Sequence, residues 1–343
     1  KLLRRKSKRY SVNAGKRTEY RARQERGFSG GIPNRRCLRW REQDTDMKGN
    51  YITPVITAFD ENGNLDYAAM ECIYEHLIRN GIKEILILGS IGEFFAIPPE
   101  MKKDLIKFAV RFINNRAKVI VGTAGANLSE TVALTKYAFA QGADAVIVIS
   151  PYYFSFTDSS VEEYYGTVAK NCPGDLYLYN FPDRTGYDLS PGVTLKLLRK
   201  HKNIAGYKDT LAGMDHTREL IKLVKPEFPD FKIYSGFDDN FAHNVLSGGD
   251  GCIAGLSNVF PNLCSSWVKA FEENNLEKIS EIQKTIDILM GIYSVGKPFV
   301  PYIKKAMQIT GLPVKEYCTF PMPVVTESET QRIKNILEKA NML

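Results

Sequence analysis

Apolar residues in this chain follow two rhythms. Short runs that are apolar nearly throughout occur at Tyr51–Thr57 (YITPVIT), Glu84–Gly89 (EILILG), Lys118–Thr123 (KVIVGT) and Ala143–Ser150 (ADAVIVIS). Four more follow at Leu176–Asn180 (LYLYN), Ile204–Lys208 (IAGYK), Lys232–Gly236 (KIYSG) and Gly251–Gly255 (GCIAG). Between the runs, apolar residues recur at steps of three and four, as in Leu105, Phe108, Ala109 and Phe112, or Val132, Leu134, Tyr137 and Ala138. The first rhythm predicts strands buried on both faces, the second amphipathic helices. Asp66, Ser129 and Ser190 stand as N-cap candidates ahead of helical segments.

Eight such strands, each followed by a helix, predict an α/β fold closed as a (β/α)8 TIM barrel. An open doubly wound sheet is the rival, but its G-x-G-x-x-G fingerprint is absent after the first strand. Beyond Gly255, helical segments are predicted at Cys264–Glu273, Leu276–Met290, Phe299–Thr310 and Glu327–Ala340. These exceed one closing helix, so a C-terminal helical extension is expected. The expected layout is a barrel over residues 47–258, helices packed on it over 259–343, and a separate segment over 1–46.

Charge sharpens that last boundary. The chain has 46 Lys and Arg against 39 Asp and Glu, a net +7. Residues 1–46 hold 15 of the basic residues and five of the acids, an excess of ten; the remainder is 31 against 34. A uniformly basic nucleic-acid-binding domain is thereby excluded. The Arg-rich segment can be read as a transit peptide, as a nucleic-acid-binding arm, or as a disordered or artificial stretch ahead of a natural start at Met47. The third reading is preferred, because the compact pattern begins directly after Met47. The six cysteines show no C-x-x-C pairing and the four histidines are scattered, so reduced thiols and no metal site are expected. No apolar run reaches the ~18–20 residues that span a bilayer, and a cytoplasmic enzyme is expected.

Active sites of such barrels lie at the C-terminal strand ends. Lys208 follows Ile204-Ala205-Gly206-Tyr207 at one of them. It is either a rim lysine reaching water or an amine nucleophile. An ordinary lysine amine, with a pKa of about 10.4, is almost wholly protonated at neutral pH, and partial burial favours the neutral form. Tyr179 ends another strand, as a core residue or as a proton shuttle. Gly89-Ser90-Ile91-Gly92 offers backbone N–H groups at a strand-to-helix turn, where a carboxylate can be held.

Taken in order, GSIGE (89–93), PYY (151–153), YNFPDRTG (179–186) and KDT (208–210) resemble the motifs of the pyruvate-dependent class I aldolases. That family includes dihydrodipicolinate synthase, N-acetylneuraminate lyase and the 2-keto-3-deoxygluconate aldolases. The resemblance implies a homotetramer, built as a dimer of dimers, acting on pyruvate or another 2-keto acid with no metal or organic cofactor. Lys208 would form a Schiff base with the substrate ketone, and Tyr179 would move protons at the imine and at the C4 oxygen. Ser90 and Ile91 would hold the carboxylate, and Glu93 would pack the turn. Tyr153 would reach across a subunit interface. Ile253 would line the floor beside the lysine, and Thr210, Arg184, Asp238 and Asp239 would meet substrate.

Within the family the signs diverge. Arg184 matches the arginine with which the synthase holds its aldehyde's carboxylate. Ile91 replaces the hydroxyl residue that passes a proton in the synthase and the lyase. Ser235-Gly236-Phe237-Asp238-Asp239, YNFP and Gly248-Gly249-Asp250-Gly251 are more similar to the sugar-acid aldolases, whose acids meet substrate hydroxyls. Gly255 stands where the sialic-acid lyase has a hydroxyl residue. The expected activity is cleavage of a 2-keto-3-deoxy sugar acid to pyruvate and an aldehyde. Dihydrodipicolinate synthase is the alternative, and a non-catalytic keto-acid-binding regulatory protein is the alternative of another class.

Overall fold

The structure, a computed structural model, describes residues 47–343. The basic segment 1–46 lies outside the described residues, and with it the three readings of its role. Strands β1 (Asn50–Pro54), β2 (Glu84–Ile87), β3 (Lys118–Gly122), β4 (Ala145–Ile149), β5 (Asp175–Asn180), β6 (Ile204–Asp209), β7 (Lys232–Ser235) and β8 (Gly251–Ile253) pair in parallel. They close in chain order, β8 returning to β1, as the TIM barrel expected from the sequence. Helices α1 (Tyr67–Arg79), α2 (Pro99–Ile113), α3 (Leu128–Gln141), α4 (Asp158–Asn171), α5 (Pro182–Thr185), α6 (Pro191–Lys200), α7 (Asp215–Val224) and α8 (Phe241–Leu246) fall between them. Four more follow: α9 (Pro261–Glu272), α10 (Leu276–Leu289), α11 (Val300–Ile309) and α12 (Glu327–Lys339).

The runs form strands because both faces are covered. All five residues of β4 are buried, as a barrel wall between core and helices requires. Gly122 is held to glycine by closeness: a Cβ there would lie 2.0 Å from the Leu88 carbonyl oxygen. Asp66 and Ser190 cap α1 and α6 as expected. The cap of α3 is Asn127 rather than Ser129, whose hydroxyl instead donates to the Asn127 side chain at 2.6 Å. The buried face of α3 also differs from the apolar stripe; it is Thr131, Thr135 and Ala138. Hydroxyls are tolerated there because Thr135 bonds Thr123 at 2.8 Å and Thr131 accepts the Gly125 N–H at 3.0 Å.

The C-terminal helices reach the mouth of the barrel through a buried ion pair. Lys304 of α11 sits 2.7 Å from Glu93 in the turn after β2, with neither side chain exposed. Glu93 also accepts from the Thr319 N–H and hydroxyl at 2.7 and 2.8 Å, and Lys304 donates to the Tyr317 carbonyl at 2.8 Å. A buried pair persists only when the remaining lone pairs and protons are satisfied in this way. Glu93 therefore does pack its turn, by tying it to α11.

Candidate active site

The parallel register places Tyr179 of β5 opposite Lys208 of β6, at the C-terminal ends of both strands. Both side chains are almost wholly buried, and Lys208 Nζ lies 4.4 Å from the centre of the Tyr179 ring. The Tyr179 hydroxyl shares a hydrogen bond of 3.3 Å with the Ser90 hydroxyl. These groups open into a cavity of about 610 Å³. Its wall includes Ile91, Arg184, Thr210, Asp238 and Ile253, so most of the residues singled out in the sequence meet in one place.

The turn after β2 is suited to hold an anion. The N–H groups of Gly92, Glu93 and Phe94 return to carbonyls of residues 89 and 90. Those of Ser90 and Ile91 have no hydrogen-bond acceptor among the described residues, and both residues face the cavity. Thr210 presents a buried hydroxyl with no partner, another group open to a ligand. Arg184 lies on α5 at the exposed rim, its guanidinium 5.0 Å from the centre of the Phe181 ring. Across the described residues, no His, Cys, Asp or Glu grouping could hold a metal ion.

Three of the expected residues stand apart from the rest. Asp238 lines the cavity, but its carboxylate is already occupied. The hydroxyls of Tyr51 and Tyr293 donate to it, Tyr293 at 2.9 Å, and so does the Leu256 N–H at 2.8 Å. Burial raises its pKa, against the pull of those donors. Asp239 is not among the cavity-lining residues. Of the two acids of G-F-D-D, Asp238 is thus a buried hydrogen-bond acceptor at the cavity wall, and Asp239 is not part of that wall. Tyr153 does not line this cavity either. It is 89% exposed, in edge contact with Phe154.

The sequence reading missed Tyr293, Lys297 and Phe299, which close one side of the cavity from the segment between α10 and α11. The glycine- and proline-interrupted stretch Gly291–Phe299 was the available signal. These residues also account for Gly255. A Cβ there would lie 2.7 Å from the Tyr293 hydroxyl and 2.8 Å from Ile91 Cδ1, so a side chain at 255 and Tyr293 compete for one space.

A closed parallel barrel that buries a lysine and a tyrosine side by side at its mouth puts an amine and a phenol where such barrels carry out their chemistry. The profile of the dihydrodipicolinate synthetase family matches residues 47–340. The chain is 34% identical to the probable 2-dehydro-3-deoxy-D-pentonate aldolase YjhH of Escherichia coli, covering 85% of this chain and 97% of the relative. It is also 34% identical to the 4-hydroxy-tetrahydrodipicolinate synthase of Kosmotoga olearia, over 83% and 95%. The crystal structure of YagE, an Escherichia coli prophage protein of the dihydrodipicolinic acid synthase family in complex with pyruvate, superimposes with a TM-score of 0.84 at 32% identity. That match covers 86% of this chain and 99% of YagE. This chain belongs to the dihydrodipicolinate synthetase family, and it is a lyase of the aldolase type.

Proposed function

We propose that this protein cleaves a 2-keto-3-deoxy sugar acid to pyruvate and an aldehyde through a Schiff base on Lys208. The observation that carries the reading is the Lys208–Tyr179–Ser90 constellation, with Lys208 and Tyr179 buried, Ser90 half-buried, and all three lining the cavity. In this reading the substrate carboxylate rests on the N–H groups of Ser90 and Ile91. The Lys208 amine adds to the C2 ketone and water leaves, giving an iminium. Tyr179 takes the proton of the C4 hydroxyl as the C3–C4 bond breaks. The electron pair passes into the enamine, which gains a proton at C3 and is hydrolysed to pyruvate. The imine serves as the electron sink, so the step needs neither metal nor organic cofactor.

Two observations favour a sugar-acid substrate. Ile91 has no hydroxyl to pass a proton, and the free Thr210 hydroxyl and the Tyr293 hydroxyl give a polyol tail partners in the cavity. The second-named alternative, condensation of pyruvate with aspartate semialdehyde, draws support from Arg184 at the cavity rim. The aldolase names carried by two relatives, YjhH and YagE, weigh toward the first. A homotetramer belongs to the reading as well, with Tyr153, Phe154 and Phe156, all exposed, as the surface a neighbouring subunit would cover. The cytoplasm suits the five free cysteines among the described residues.

The test combines trapping with turnover. Pyruvate and borohydride should leave a stable adduct on Lys208 and none on Lys208→Ala; an adduct kept by that variant overturns the mechanism. Side-by-side turnover of 2-keto-3-deoxygluconate, N-acetylneuraminate, and pyruvate with aspartate semialdehyde decides the substrate. Preference for the last makes the protein a synthase.

A further inference from the structure

Behind the two strand ends, on the far side of the barrel wall from the cavity, lies a charged cluster that the reaction does not touch. Side chains alternate along a strand, so Lys208 faces inward while Asp209 points outward toward α7. The Asp209 side chain is wholly buried. It accepts from Asn180 at 3.0 Å, from the Thr217 hydroxyl at 2.6 Å, and lies 2.8 Å from His216 Nδ1. His216 Nε2 lies 3.0 Å from Asp188, an ion-pair contact rather than a well-aligned hydrogen bond. Asn180, the residue after Tyr179, also donates to Asp188 at 2.6 Å. The cluster thus backs both Lys208 and Tyr179 at one remove.

His216 is the only cation in it. Burial works against its charge, but Asp188 and Asp209 outweigh burial and raise its pKa to about 10. Tyr207 packs its ring 6.3 Å from the imidazole and lies near Tyr165; burial raises both phenols, which stay neutral. The charges facing the imidazolium from β6 and from the segment before α6 are therefore Asp209 and Asp188.

We propose that His216 is a positioning residue for the amine chemistry, its imidazolium offsetting Asp209 so that no uncompensated buried carboxylate holds Lys208 in its ammonium form. The proposal rests on the reading that Lys208 forms the imine. Unit charges on opposite faces of a strand are on the order of 10 Å apart, and at an effective dielectric near 20 a change in one still displaces the charge balance at the other. Imine formation requires the neutral amine, so the displacement appears directly in rate.

The experiment follows the initial rate of pyruvate trapping by cyanoborohydride against pH, in the full-length chain. His216→Asn keeps a donor for Asp209 but removes the charge. Its acid limb should move to higher pH by about one unit, which is roughly tenfold in rate on that limb. Asp209→Asn should move the limb to lower pH. The double variant should return it close to wild type, although more of the network is broken. A residue that only held the fold together would leave the limb in place, or give the double variant the larger defect; either result overturns the proposal. Should His216→Asn not fold, Asp209→Asn carries the test, and an unmoved or raised limb overturns it. Absence of any adduct on Lys208 in the wild type is a different failure, that of the imine reading itself.

Discussion

Lys208 and Tyr179 are held by the ladder that pairs their backbones, so their contact depends little on side-chain freedom. The tyrosine contributes two separable things: a ring against the amine, and a hydroxyl bonded to Ser90. Tyr179→Phe keeps the first and removes the second. Borohydride trapping on Lys208 should persist, while kcat falls by roughly 10²- to 10⁴-fold, the range for loss of a positioned acid–base group. A change confined to KM, measured by steady-state kinetics, would contradict the proton-transfer role. Lys208 and Tyr179 were marked in the sequence by their place at the ends of apolar strands, and the motif resemblance, not that place alone, singled them out as catalytic candidates. The partners of Asp238 were not legible, for a physical reason. Its neighbours in the chain say nothing of Tyr51 and Tyr293, which approach from β1 and from the far side of α10 to claim its oxygens.

Elements are coupled to the site by buried charge. The Glu93–Lys304 pair joins the turn that carries the Ser90 and Ile91 N–H groups to α11. Removing one partner strands the other without compensation, at a cost of about 3–5 kcal/mol. Glu93→Gln should therefore lower stability by that order in denaturant unfolding and weaken pyruvate binding, because its turn loses its anchor. Glu93→Gln with Lys304→Met should recover much of the stability. If the double variant is as unstable as the single, the charge is not the cause. The cluster around His216 gives a pH signature of its own. Its pKa stands at about 10 in the fold against 6.5 without it. Between those values the folded chain holds a proton that the unfolded chain has released. The contribution is complete below about pH 6.5 and is lost as pH rises toward about 10. Melting temperatures of wild type and His216→Asn should therefore converge over that interval; parallel curves would show that the imidazolium contributes no stability.

At the scale of the whole molecule, the eight strands were legible because a parallel barrel wall is buried on both faces, which leaves apolar runs too plain to mistake. The four C-terminal helices were legible for the complementary reason, their three- and four-residue spacing. What was not legible was that the segment between α10 and α11 folds back to wall the cavity, since Tyr293 is recognisable only by what surrounds it. Charge at this scale bears on how substrate arrives. The net +7 is the sum of an excess of ten in residues 1–46 and a deficit of three in the remainder. If the catalytic body works alone, a carboxylate substrate is not gathered by long-range attraction. It is held at close quarters by the Ser90 and Ile91 N–H groups and by the imine on Lys208. Steered encounter falls steeply with ionic strength, whereas contacts inside a buried cavity are screened much less. A chain beginning at Met47 should therefore keep the KM and kcat of the full-length protein at low salt, and both should respond weakly to added salt. A KM that rises on truncation, and a salt dependence present only in the longer chain, would show that the basic segment draws the substrate in. Retention on nucleic acid that disappears with the same truncation would show instead that the segment serves a partner unrelated to the reaction.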